Sequence, residues 1–194
     1  NFYLALKTLE DISELSKKHT KDVERRMVEI MEEIFYYNND NQFSTIKALA
    51  LFDDFGDLIK RSQKQTAITL KLADRLVAVD LLDRAYKMIN DYMKNNKYKL
   101  TDTEISAMGS RLALINLFKN QESEALRNLD ITEKKDIPET LELQRKIIRA
   151  HALTKQGNTD EALELLKDDS RKVLKGDTFI ALKKVNDGHD YVLD

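Results

Sequence analysis

The sequence predicts an all-α protein, and three observations carry that expectation. Apolar residues recur at helical spacing, as in Val23, Met27, Ile30, Met31, Ile34 and Phe35, which paint one face of a helix from about Lys21 to Tyr37. One proline and five glycines in 194 residues leave few positions that interrupt a helix. Charged residues make up 34% of the chain, above the roughly 25% of ordinary globular domains, which suits much exposed helix surface. No stretch sustains an alternation of period two, so roughly nine to eleven helices and no strand are expected.

The elements follow in order. Phe2 to Lys18 carries Ala5, Leu9 and Ile12 at helical spacing. After the Lys21–Tyr37 helix, Asn38 to Gln42 (NNDNQ) is a polar break of turn formers. Ser44 then caps TIKALALFDDF, a helix expected to run to about Phe55. In TDTE, Thr101 and Glu104 have the spacing of a capping box. Pro138 in KDIPET suits a first helical turn, where its missing N–H would have no intrahelical partner. Gly157, Asn158 and Thr159 separate two more helices, Gly157 as the left-handed stop and Thr159 as the next cap.

Three windows share one pattern: LADRLVAVDLLDRAYKMI (72–89), LALINLFKNQESEALRNL (112–129) and RAHALTKQGNTDEALELL (149–166). Each has alanine second, alanine twelve later and Ile or Leu four beyond: Ala73, Ala85 and Ile89; Ala113, Ala125 and Leu129; Ala150, Ala162 and Leu166. The second alanines recur at intervals of 40 and 37 residues, a period typical of solenoids. Where two helices of a hairpin cross, only small side chains let the axes come within about 8–10 Å. An irregular bundle with chance alanines is the plainer alternative.

This pattern resembles the tetratricopeptide repeat (TPR). Ala73, Ala113 and Ala150 match its first small position, Gly157 its turn glycine, and Ala85, Ala125 and Ala162 its second small position. Asp80 and Asn120 replace the turn glycine, and Leu76, Asn116 and Leu153 stand where the first-helix aromatic would be. The resemblance implies antiparallel helical hairpins stacked in a right-handed TPR-like α-solenoid, read as a single domain over 1–194: clear repeats at about 66–169, degenerate helical units over 1–65 and a truncated unit over 170–194. In the degenerate part, Ala48 and Phe52 could be a second-helix pair; Ala181 and Gly188 would begin the truncated unit. KALALFDDFGDL with LADRLVAVDLLDRA also resembles a helical-repeat segment of large, uncharacterised alphaproteobacterial proteins. Because the chain begins at Asn1 inside a helical pattern, it reads as a fragment of a longer protein.

Composition and motifs exclude most chemistry. With no cysteine there is no thiolate nucleophile, disulfide or Cys-based metal site. His19, His151 and His189 are scattered and form no metal-binding spacing. Asp53, Asp54 and Asp57 lack the alternation of a calcium loop, and Asp54-Phe55-Gly56 has no companion kinase motif. Enzyme function is therefore disfavoured and no cofactor is expected. A net charge of −2 provides no global attraction for nucleic acid, and the clusters Arg25-Arg26 and Lys60-Arg61 read as solvated helix faces. No apolar run approaches the roughly 18 residues of a membrane span. A soluble segment in a bacterial cytoplasm or periplasm is expected, without membrane insertion or nucleic acid.

The expected function is a non-enzymatic scaffold whose concave groove, lined by the first helix of each hairpin, binds a peptide or helix of another protein; the alternative is a structural spacer or self-association segment. By the resemblance the groove includes Leu114, Leu117, Phe118, Gln144, His151 and Lys155. The family's carboxylate-clamping Lys and Asn are missing, since Leu70, Ser110 and Ile147, then Asp74, Leu114 and His151, occupy those places. An amphipathic helix or an extended segment with one large apolar anchor is the expected ligand.

Overall fold

The computed structural model describes residues 2–15, 20–37 and 44–170, with backbone only over 167–170. Among these, nine α-helices and one π-helical turn make up the structure and no strand occurs: α1 (Phe2–Leu15), α2 (Thr20–Glu32), the π turn (Glu33–Tyr37), α3 (Thr45–Ile59), α4 (Gln65–Ala78), α5 (Leu82–Asn95), α6 (Asp102–Phe118), α7 (Glu122–Ile131), α8 (Glu139–Lys155) and α9 (Thr159–Ser170). The all-α expectation is met. The chain divides into two compact units, Asn1–Asn96 and Lys97–Asp194. The Asn38–Gln42 break, His19, His189 and the truncated unit with Ala181 and Gly188 lie outside the described residues.

In the first unit, α1 packs on α2, α2 on α3, α3 on α4 and α4 on α5. Leu6, Met31, Leu51, Phe55, Ile68 and Leu72 belong to one continuous core. The Lys21–Tyr37 helix widens into its π turn where Ile34 and Phe35, adjacent in sequence, are both buried. An extra residue in that turn brings two neighbours toward one core that a regular helix would set about 100° apart. Lys64 lies 4.7 and 4.1 Å from the ring centroids of Tyr36 and Tyr37, tying the π turn to the start of α4. Ser44 caps α3 as expected, its Oγ accepting from Lys47 N–H at 3.4 Å. The helix runs past Phe55 to Ile59, because Phe55 and Ile59 sit one turn apart on the same buried face.

In the second unit, α6 pairs with α7 and α8 with α9, and α8 also packs against both helices of the preceding hairpin. The Thr101–Glu104 capping box is present in both directions. Pro138 and Thr159 each fall one position from their expected places. Pro138 is the N-cap of α8. Thr159 is the first residue of α9, and Asn158 supplies the carbonyl that receives Ala162 N–H at 3.2 Å.

The three windows fold alike. Asp80 (φ 62°), Asn120 (φ 54°) and Gly157 (φ 87°) hold one left-handed position, the place of the turn glycine. At each turn the next residue donates back five positions: Leu81 to Leu76 O at 2.9 Å, Gln121 to Asn116 O at 2.8 Å and Asn158 to Leu153 O at 2.9 Å. The left-handed residues donate to Val77, Leu117 and Thr154 O, which completes the Schellman pattern. Asp and Asn adopt this conformation more readily than other non-glycine residues, which is why they can stand in for glycine. The carbonyls of Leu81, Gln121 and Asn158 then accept from Ala85, Ala125 and Ala162, so one residue ends the first helix and begins the second. All six crossing alanines are buried.

Candidate functional site

The second unit uses three faces of α8. Ile148 and Ala152 join Ala113, Leu117, Ala125 and Leu129 in the core toward the preceding hairpin. Ala150 and Leu153 meet Ala162, Leu165 and Leu166 of α9. The third face carries Leu143, Ile147 and His151, four residues apart and all exposed. Leu143 is 43% and Ile147 44% exposed, and Phe118 at the end of α6 is 54% exposed. Three large apolar side chains thus stay in solvent while their neighbours on the same helices complete the core.

The six expected groove residues divide. Phe118, Gln144, His151 and Lys155 are exposed and Leu114 is half-buried. Leu117 is buried in the core between α6, α7 and α8 and offers nothing to a surface. Lys155 folds back on the α6–α7 turn, its Nζ donating to Asn120 Oδ1 at 3.0 Å and lying 4.0 Å from Glu122. Of the further first-helix positions, Ser110 is buried and Ile147 is exposed. Leu143, one turn before Ile147, was missed, although its spacing to Ile147 and His151 is visible in the sequence.

A buried arginine holds α8 in place. Arg145 is 7% exposed. Its Nη1 donates to Ser106 O at 2.7 Å and its Nη2 to Leu129 O at 2.6 Å, with Thr132 Oγ1 3.3 Å from both nitrogens. The side chain joins α6, the end of α7 and α8, and supplies a donor to one of the last carbonyls of α7. Burial pushes the guanidinium below its ordinary pKa, and neighbouring Arg149 adds to the shift. Gly109 makes room for this junction: a Cβ there would fall 1.8 Å from Thr132 Oγ1. In the alanine register, Arg145 stands where the two earlier windows place the fully buried Ile68 and Met108. Its position between Leu141, Ile148 and Ala152 on an apolar stripe was the available signal.

The described basic clusters sit beside carboxylates. Arg25 pairs with Asp22 and Arg26 with Glu29, while Lys60 pairs with Asp57 and Arg61 with Glu24. Among the described residues no group of three or more His, Cys, Asp or Glu is placed to hold a metal ion, and no helix is long and apolar enough to cross a membrane. No family model, curated protein or solved structure matches the chain.

Proposed function

We propose that the chain is a non-enzymatic binding module, a TPR-like solenoid whose first helices line a groove for a peptide or helix of a partner protein. The observation that carries this reading is the third face of α8: Leu143 and Ile147 remain exposed, as does Phe118 of α6, although other apolar residues of both helices are buried in the core. Leu143 and Ile147, on one face of α8 with Gln144 and His151 beside them, suit the apolar stripe of an amphipathic helix, and exposed Phe118 suits an extended segment with one large side chain. The threefold recurrence of crossing alanines and left-handed turns supports the solenoid, since hairpins of one geometry can stack with one repeated rotation.

Capture with the full chain tests the reading. Phe118→Glu and Ile147→Glu should each remove partner capture while the melting temperature stays near that of the parent; retained capture by both variants refutes it. A spacer or self-association role is the second reading, favoured by α1. Leu4 (60% exposed) and Leu15 (87% exposed) lie on the side of that helix away from buried Leu6. If association of the chain with itself is lost in Leu15→Glu and unaffected by Phe118→Glu, the second reading prevails.

A further inference from the structure

The first unit carries a cleft that its core packing does not explain. Phe52 and Gly56 of α3, with Lys60 at its C-terminal cap, line one wall, and Lys87, Met88 and Asp91 of α5 the other. Its volume of about 390 Å³ lies within the roughly 300–1,000 Å³ of small-molecule sites. Gly56 adds no side chain to the α3 wall. The residue sits inside α3, where glycine is unfavourable, and does not have the positive φ that would call for it. Nor does packing require it, because the atoms nearest to a Cβ there are those of the Phe52 ring, no closer than 3.7 Å. Gly56 therefore lines the cleft beside Phe52 at a helix position where no close contact calls for glycine.

Lys60, Arg84 and Lys87 line the space with two carboxylates, Asp53 and Asp91, and a third, Asp57, sits beside Lys60, so what matters is which cations are engaged. Arg84 Nη2 bridges the walls to both oxygens of Asp53, at 2.7 and 2.5 Å, so those two charges satisfy each other. Lys87 and Asp91 have no ion pair or hydrogen bond among the described residues. Among the described residues Lys60 is held by Asp57 alone, an exposed pair that contributes little and is free to exchange.

We infer that this cleft binds a small monoanionic amphiphile. An apolar body lies over Phe52, Gly56 and Met88, a single carboxylate or sulfonate is drawn to Lys60 and Lys87, and Asp91 repels a second anionic group. The inference is independent of the α6–α8 face.

The test uses the full chain with 8-anilinonaphthalene-1-sulfonate, an aromatic body with one sulfonate, and its uncharged analogue N-phenyl-1-naphthylamine. The sulfonate should bind saturably, one per chain, and shift amide resonances over residues 52–60 and 84–92. Gly56→Leu, which fills the space with a better helix former, should weaken binding at least about tenfold. Lys87→Glu, an exposed change, should weaken the sulfonate by about three- to tenfold and leave the neutral analogue unaffected. Undiminished binding in Gly56→Leu overturns the inference. So do resonance shifts centred on Phe118 or α1, or equal losses of both dyes in Lys87→Glu.

Discussion

Replacing Arg145 by methionine should barely change global stability, whereas replacing it by alanine should be costly. The two short bonds, to Ser106 O at 2.7 Å and Leu129 O at 2.6 Å, are charge-assisted, and such bonds contribute about 1.5–3 kcal/mol each. Against them stands removal of a cation from water, an effective penalty of several kcal/mol. The two contributions nearly cancel. Methionine keeps most of the volume and repeats what Met108 does in the preceding window. It leaves Leu129 O with only the long 3.4 Å bond from Thr132 Oγ1, a loss of about 1–3 kcal/mol offset by the charge no longer buried. Arg145→Met should therefore lie within about 1.5 kcal/mol of the parent. Arg145→Ala adds a cavity and should cost about 2–4 kcal/mol. Urea unfolding measures both, and amide exchange shows where they act: in Arg145→Met, protection should fall at the end of α7 and in the turn that follows, and hold elsewhere. A methionine variant as unstable as the alanine variant would refute the reasoning, since charge rather than volume would then hold the junction.

Two further outcomes follow from the hairpins. Ala125→Leu should overpack the α6–α7 crossing by about 1–3 kcal/mol, and Ala113→Glu, an unpaired buried charge, should cost more; exposed Glu124→Leu should stay within about 0.5 kcal/mol in the same thermal melts. At the turns, Gly157→Val should lose about 1–2 kcal/mol through a strained left-handed residue, while Asn120→Gly should be neutral or stabilising by up to about 1 kcal/mol in denaturant titrations.

The features legible in the sequence were those set by local chemistry. Crossing alanines, the Thr101–Glu104 box and the Ser44 cap depend on residues close in the chain, and each lies where spacing placed it. Asp80 and Asn120 stood at the right register, but a propensity scale does not reveal that they take glycine's conformation; the repeat does. Arg145 is harder to read because its stabilisation comes from carbonyls on two other helices, a tertiary fact whose one local trace is its place on an apolar stripe. Leu117 shows the same limit in reverse. It is one residue from exposed Phe118, yet 100° of helix rotation puts it in the core. Which apolar residues of a first helix stay in solvent depends on how the next hairpin covers it.

The central claim, that exposed Phe118 and Ile147 both contact one partner, is tested most directly by photo-crosslinking from defined positions in the full chain. With benzoylphenylalanine at 118 or at 147, one partner segment should be labelled from both positions, and exposed Arg127 on α7 should label nothing comparable. Equal labelling from position 127, or none from 118 and 147, would contradict the account.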